Sequence, residues 1–319
     1  MADHKLVVSS SPHLRTKETT PRLMGAVLLA LLPAALASIV LFGPRALAVM
    51  AVTLASALVA EGLYMKIVRK PVTIADGSAA ITGLLLAFNM PPMVPLWVPV
   101  IGSFFAIIVV KQLFGGLGQN FMNPALAARA FLLAAWPMSM TTGWVVPFDG
   151  VTSATPLQVL RGMASARLPE TWELLVGMRA GALGETSAVA LLLGGFYLLW
   201  KGVIDWRIPG CFIGTVALVT WAFGGSGGLF TGNVLAHTLT GGLLLGAFFM
   251  ATDYVTSPVT RRGRVVMGIG CGLITALIRL WGGFPEGVSY SILLMNVATP
   301  LIDRATLPRV FGQRRVKAA

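Results

Sequence analysis

Apolar residues along this chain come in blocks, each closed by a short polar or turn-forming break. Ten blocks fall near residues 23–42, 46–65, 77–90, 94–113, 121–136, 185–200, 209–223, 232–251, 265–281 and 286–302. A helix needs roughly 20 apolar residues to cross the hydrocarbon core of a bilayer, and most blocks approach that length. The third, fifth and seventh fall short, so they require tilt, partial burial or broken-helix geometry. The pattern predicts an all-α polytopic membrane protein with ten transmembrane helices. It leaves one long polar interruption, about residues 137–184, which holds the turn-rich stretch Phe148 to Leu160, FDGVTSATPLQVL.

Composition agrees with that reading. Of 319 residues, 56% are hydrophobic and 11% charged, against about 25% charged in a typical soluble domain. The 36 glycines suit close helix approach in lipid. A net charge of +12 would suggest nucleic acid in a soluble protein. Here the pattern puts the charges in short loops, where they read as topology signals. With the N-terminus inside, Arg45, Arg161, Arg167 and Arg179 lie in outer segments and Arg129 and Arg279 within spans, while the other 18 of the 24 Lys and Arg lie on the inner side. Both termini are therefore expected in the cytoplasm, with segment 137–184 on the outer face. The predicted organisation is an inner tail (1–22), a first five-helix half (23–136), the outer segment (137–184), a second five-helix half (185–303) and a basic inner tail (304–319). About 22 polar residues precede the first apolar block, which exceeds the roughly 7–15 residues of a signal-peptide core, so it is expected to be a retained helix. Cys211 and Cys271 stand apart within apolar runs, without zinc or CxxC spacing. They read as packing residues, and no iron–sulfur cluster is expected within this chain.

Two segments look alike. Thr82 to Phe88 is TGLLLAF and Thr240 to Phe248 is TGGLLLGAF; a Gly pair follows each, at Gly115-Gly116 and Gly282-Gly283. Helices bearing Asn123-Pro124 and Asn296 with Pro300 come next. Because five spans is an odd number, two such halves insert in opposite directions, as inverted repeats with a site at their interface.

A few polar residues interrupt the apolar blocks. Arg129 sits in the middle of the fifth, where a charge is costly and faces the protein interior or a cavity. It either neutralises an anionic cofactor or lines an ion path, or it is a buried partner for helix-end carbonyls. Arg279 is near a span end and is expected to snorkel. His237 reads as a packed hydrogen-bonding residue. Asp76 reads as a helix N-terminal cap, with ion binding as the other option. The breaks NMPPMVPLWVP (89–99) and QNFMNP (119–124) are turns or places for a flavin ring or ion to dock.

Within the polar interruption, Thr155-Pro156-Leu157-Gln158 fits a capping box, with Pro at the first helical position. The same helix start offers free N–H groups to a phosphate, with Arg161 near by to assist. Asp149-Gly150-Val151-Thr152-Ser153-Ala154-Thr155 resembles the D-x-x-[S/T]-[G/S/A]-A-T motif of proteins that receive FMN through a Thr phosphoester. Gly115 to Ala125, GGLGQNFMNPA, and the break Asn89-Met90-Pro91-Pro92 followed by Pro95-Leu96-Trp97 are similar to segments of the same family. The chain from about 15 to 305 thus resembles the D subunits of Rnf complexes. The B subunits of Na⁺-translocating NADH:quinone reductases are the related alternative, and a flavin-free channel or transporter of this fold is the other.

The resemblance implies two inverted five-helix halves, similar to urea and ammonium channels, in a bacterial inner membrane. It implies a subunit of an ion-translocating oxidoreductase that moves electrons between ferredoxin and NAD(H) and couples this to Na⁺ or H⁺ movement. It further implies FMN esterified to Thr155 by a flavin transferase, with Asp149, Ser153 and Ala154 completing the motif. Ser153 stands where many relatives have Gly, and its small size is expected to permit transfer. A second, non-covalent flavin, riboflavin, is implied within the helices. Arg161, Arg129, Asn120 and Asn123 are the remaining candidate cofactor contacts. Other membrane and peripheral subunits are the implied partners and carry the ferredoxin and NADH sites. Here GGLGQN lacks the preceding strand of a dinucleotide fingerprint.

Overall fold

The computed structural model describes residues 18–225 and 228–308. Most of the predicted inner N-terminal tail and of the basic C-terminal tail falls outside these residues. The chain folds into α1 (Thr20–Phe42), α2 (Pro44–Ile67), α3 (Ser78–Phe88), α4 (Trp97–Gln112), α5 (Pro124–Ala135), α6 (Pro137–Thr141), α7 (Pro156–Leu160), α8 (Thr171–Val176) and α9 (Ala188–Trp200). It continues with α10 (Arg207–Phe223), α11 (Val234–Leu239), α12 (Leu243–Leu245, widening into a π turn over Gly246–Met250), α13 (Arg261–Trp281) and α14 (Val288–Thr306). No strand forms among the described residues; a single antiparallel bridge joins Val145 and Thr152.

Every predicted apolar block carries helix, but among the described residues only α1, α2 and α13 are long and apolar enough to cross a membrane as continuous helices. The array is nevertheless turned toward an apolar solvent. Leu36, Val40, Ile67, Leu218 and Leu301 are 60% or more exposed, whereas Glu61, Lys111, Arg179 and Arg279 are 3% exposed or less. Apolar residues outside and charges inside is the reverse of a soluble protein and suits lipid. Close approach is built from small residues. A Cβ on Gly268 or Gly272 of α13 would meet α10 carbonyl oxygens at 2.8 and 2.9 Å, so Gly-x-x-x-Gly spacing lets the two backbones touch.

The short helices end inside the array, and what satisfies their last carbonyls shapes the molecule. At the end of α3, Phe88 O accepts from Gly184 N at 3.0 Å and Met90 O from Leu183 N at 3.1 Å. The segment before α9 therefore threads inward to close α3, and a Cβ on Gly184 would collide with the Phe88 side chain. At the end of α11, Leu239 O accepts from Arg179 at 2.8 Å, and His237 O and Thr240 O accept from Arg279 at 2.5 and 3.2 Å. Both guanidiniums cap orphan carbonyls at the negative end of a helix.

Three sequence expectations change. Arg279 does not snorkel: it is 1% exposed and spent on α11. Lys111 and Arg179, counted as loop charges, are buried side chains with specific partners: Lys111 pairs with the buried Glu61 carboxylate, and Arg179 caps backbone carbonyls at a helix end inside the array. Asp76, by contrast, caps as expected, accepting from Ser78 N at 2.7 Å.

Candidate functional site

The polar segment folds back on itself before α7. Val146 N donates to Val151 O and Ser153 N to Trp144 O, both at 2.9 Å, around a turn with Phe148 and Gly150 at positive φ. Asp149 is exposed at the turn, while Ser153 and Ala154 run half-buried toward Thr155. Gln158 Oε1 accepts from Thr155 N at 2.9 Å, so the predicted cap forms. Leu157, 4% exposed, anchors α7 against the break between α11 and α12. That break requires Gly241: its φ is +66°, and a Cβ there would stand 2.7 Å from Leu157 and 3.0 Å from Arg279.

Thr155 is half-buried and lines a cavity of about 240 Å³. The walls come from α5 (Arg129, Leu133), the hairpin (Trp144), the inward-threaded segment (Arg179, Glu185), the connection before α14 (Phe284, Glu286) and the first turn of α14 (Tyr290). Arg129 forms an ion pair with Glu286 Oε2 and donates to Asn89 Oδ1 at 3.1 Å and Ser289 Oγ at 2.7 Å. Glu286 Oε1 also accepts from Gly242 N at 2.5 Å. Residues far apart in sequence thus meet under Thr155, and Arg129 is a cavity residue held by a carboxylate rather than a cap for carbonyls.

The remaining candidates lie elsewhere. Arg161 ends α7, does not line the cavity and donates to Gly282 O, with its second terminal nitrogen buried and unpartnered among the described residues. With only five residues, α7 also adds little dipole for a phosphate. Asn123 caps α5, accepting from Ala125 N at 3.1 Å and Leu126 N at 3.3 Å. Asn120 lines a second, smaller cavity of about 100 Å³ with Ser78, Thr82, Lys111 and Asp253. Beside that cavity, Glu61 Oε1 accepts from Lys111 at 2.9 Å, Gln112 at 2.8 Å and Thr73 at 3.1 Å. His237 is packed, 3% exposed, and no cluster with metal-ligand character occurs among the described residues.

Sequence reasoning missed Glu61, Glu185 and Glu286. Glu61 sits inside the second apolar block and Glu185 and Glu286 at the start of the sixth and tenth, and only the folded array shows that all three are largely buried. Their signal was rarity: the chain has 12 acidic residues in all.

Comparison with known proteins decides the family. A family model described as NQR2, RnfD, RnfE matches residues 7–312. The chain belongs to that family. Within it, the chain is similar to the D subunit of the Na⁺-translocating ferredoxin:NAD⁺ oxidoreductase complex of Acetobacterium woodii, with 51% identity covering 99% of this chain and 98% of the relative. The D subunit of the proton-translocating ferredoxin:NAD⁺ oxidoreductase complex of Clostridium ljungdahlii is 49% identical, with 97% and 96% covered. The D subunit of the ion-translocating oxidoreductase complex of Escherichia coli O7:K1 is 38% identical, with 97% and 99% covered. Near-complete coverage on both sides makes the NQR2, RnfD, RnfE match a property of the whole chain, helix array and outer segment together.

Proposed function

We propose that the chain is a membrane subunit of an Rnf-type complex that couples electron transfer between ferredoxin and NAD(H) to Na⁺ or H⁺ translocation. In this reading it carries a covalent FMN on Thr155. The observation that carries it is the position of Thr155, half-buried on the rim of a cavity walled by Trp144, Phe284 and Tyr290 and floored by arginine. Aromatic walls suit a flavin ring, and guanidinium groups suit added negative charge. A Thr that served only as a helix cap would need no such cavity.

In this proposal FMN supplies the redox chemistry, and the chain supplies placement and electrostatics. Thr155 Oγ1 holds the phosphoester. The Asp149–Ala154 hairpin presents that hydroxyl to a flavin transferase on the outer face. Arg129, fixed by Glu286, Asn89 and Ser289, would supply positive charge to the cavity that takes the flavin. A second, non-covalent flavin, riboflavin, is assigned to the inner side, where Asn120 faces the smaller cavity and Asn123 holds the start of α5. The ten apolar segments are taken as crossings in two inverted halves, with both termini cytoplasmic, in a bacterial inner membrane. Lipid and the other complex subunits cover the exposed apolar faces. The two ferredoxin:NAD⁺ relatives favour this role over the quinone-reductase alternative.

The test is the protein produced with its flavin transferase and run on a denaturing gel under ultraviolet light. A fluorescent band at the 33.6 kDa chain that is lost in Thr155→Ala is expected. A dark wild-type band favours the flavin-free channel reading, and a band still bright in Thr155→Ala moves the attachment elsewhere.

A further inference from the structure

The outer cavity contains an unbalanced set of charges. Three cations surround it and each is engaged: Arg129 with Glu286, Asn89 and Ser289, and Arg279 with His237 O and Thr240 O. Arg179 is held by Glu185 O at 2.6 Å, Thr186 O at 3.3 Å and Leu239 O at 2.8 Å. Of the two carboxylates, Glu286 has an ion pair and a backbone donor. Glu185 has neither a cation nor a second donor. It is 7% exposed, its Oε1 accepts only from Ala182 N at 2.9 Å, and its Oε2 makes no hydrogen bond among the described residues. That free oxygen faces the Gly241-Gly242 break, 3.5 Å from where a Gly242 Cβ would stand. Glu185 lines the cavity, and Oε2 is not among the fully buried unpartnered atoms, so this oxygen opens to the cavity, where water can reach it and deliver a proton.

We propose that Glu185 is the proton-holding residue of this cavity, taking a proton on Oε2 when an electron arrives in the cavity and releasing it when the electron leaves. The inference rests on the proposed flavin at Thr155. The balance is one for one. An electron comes from a one-electron carrier of a partner subunit, a proton from water at the cavity mouth adds to the Glu185 carboxylate, and both leave on reoxidation. With both carboxylates and the Thr155 phosphodiester ionised, the three arginines leave the set neutral. Each arriving electron would leave an excess negative charge among buried groups, and protonation of Glu185 removes it. The groups facing Glu185 set this response: Arg129 from α5, Arg279 from α13, Glu286 and Tyr290 around the start of α14, and Arg179 on its own segment. Glu286 is a poorer acceptor because protonation would break its pair with Arg129. Glu185 loses nothing on its free oxygen and gains a donor.

The test is infrared difference spectroscopy of the flavin-loaded protein, reduced with dithionite and reoxidised. Wild type is expected to gain a protonated-carboxyl C=O band on reduction that shifts in D₂O and with ¹³C-glutamate labelling. The band should vanish in Glu185→Gln and persist in Glu286→Gln. Loss in Glu286→Gln with retention in Glu185→Gln overturns the assignment, as does a wild-type spectrum with no label-sensitive carboxyl band. The wild-type labelling result stands whether or not either variant folds. In-gel flavin fluorescence separates the two claims: a dark band removes the flavin reading, while a bright band with no carboxyl signal removes only the role of Glu185.

Discussion

Replacing Arg129 with Met removes a charge that three elements converge on. The pair with Glu286 is largely shielded, with side-chain exposures of 12% and 17%. Breaking a buried pair by removing one partner costs about 3–5 kcal/mol, because the remaining charge is left uncompensated. Asn89 and Ser289 lose their donor as well, at roughly 0.5–1.5 kcal/mol each if they find no replacement. For a chain of this size a loss of 1 kcal/mol lowers Tm by about 2–4 °C, so loss of the pair alone in R129M should lower it by roughly 6–20 °C, and unreplaced donors to Asn89 and Ser289 by about 2–12 °C more. The double variant R129M/E286L replaces the pair with apolar side chains. It should cost less than the sum of the singles, since such replacements are often near neutral apart from the stranded Gly242 N–H and Asn89 Oδ1. The assay is thermal unfolding in detergent, followed by tryptophan fluorescence, across the four-member cycle. An R129M shift below about 2 °C, or single effects that simply add, would refute the argument that this ion pair joins α5 to the start of α14.

Other expectations follow from single contacts. Glu61→Ala strands the Lys111 ammonium at 2% exposure, so it should destabilise by about 3–5 kcal/mol, and Glu61→Gln, which keeps an acceptor, by clearly less; equal Tm losses would contradict this. Gly184→Val drives a Cβ into the Phe88 side chain and should reduce folded yield and Tm by the cost of overpacking, at least about 1–3 kcal/mol; normal yield would show that the inward thread can move. In the turn between α9 and α10, partial burial opposes the charge on Asp205, but the Arg207 amide and the Arg264 and Arg207 guanidiniums outweigh it and hold the carboxyl below its usual range. A depressed folded value means that the stability is present above the unfolded value near about 3.9 and is lost as pH falls below it. Wild type should therefore lose more Tm than Asp205→Asn between about pH 5 and 3; parallel curves would refute the linkage.

The helix array was legible in the sequence because lipid imposes one rule, a long apolar run for each crossing, and α1, α2 and α13 obey it directly. The short blocks were legible as helix but not as helices ending inside the array. That depends on partners supplied from distant parts of the chain: Leu183 and Gly184 closing α3, and Arg179 and Arg279 closing α11. Arg279 was misread for this reason, since a charge near a span end carries the same local pattern whether it turns to water or to a buried carbonyl. The helix start at Thr155 was legible through its capping pattern. The carboxylates around it were not, because Glu185 and Glu286 look like loop residues until the chain brings residues 129, 185 and 286 to one cavity.

Whether Thr155 bears a flavin phosphoester, the central claim, is tested most directly by mass spectrometry of the protein matured with its flavin transferase. Trypsin should release the peptide Ala130–Arg161, which contains the whole motif. This peptide should carry the added mass of one esterified FMN, with fragment ions placing it on Thr155 and not on Thr152 or Ser153. An unmodified peptide, or a flavin mass on any other residue, would contradict it.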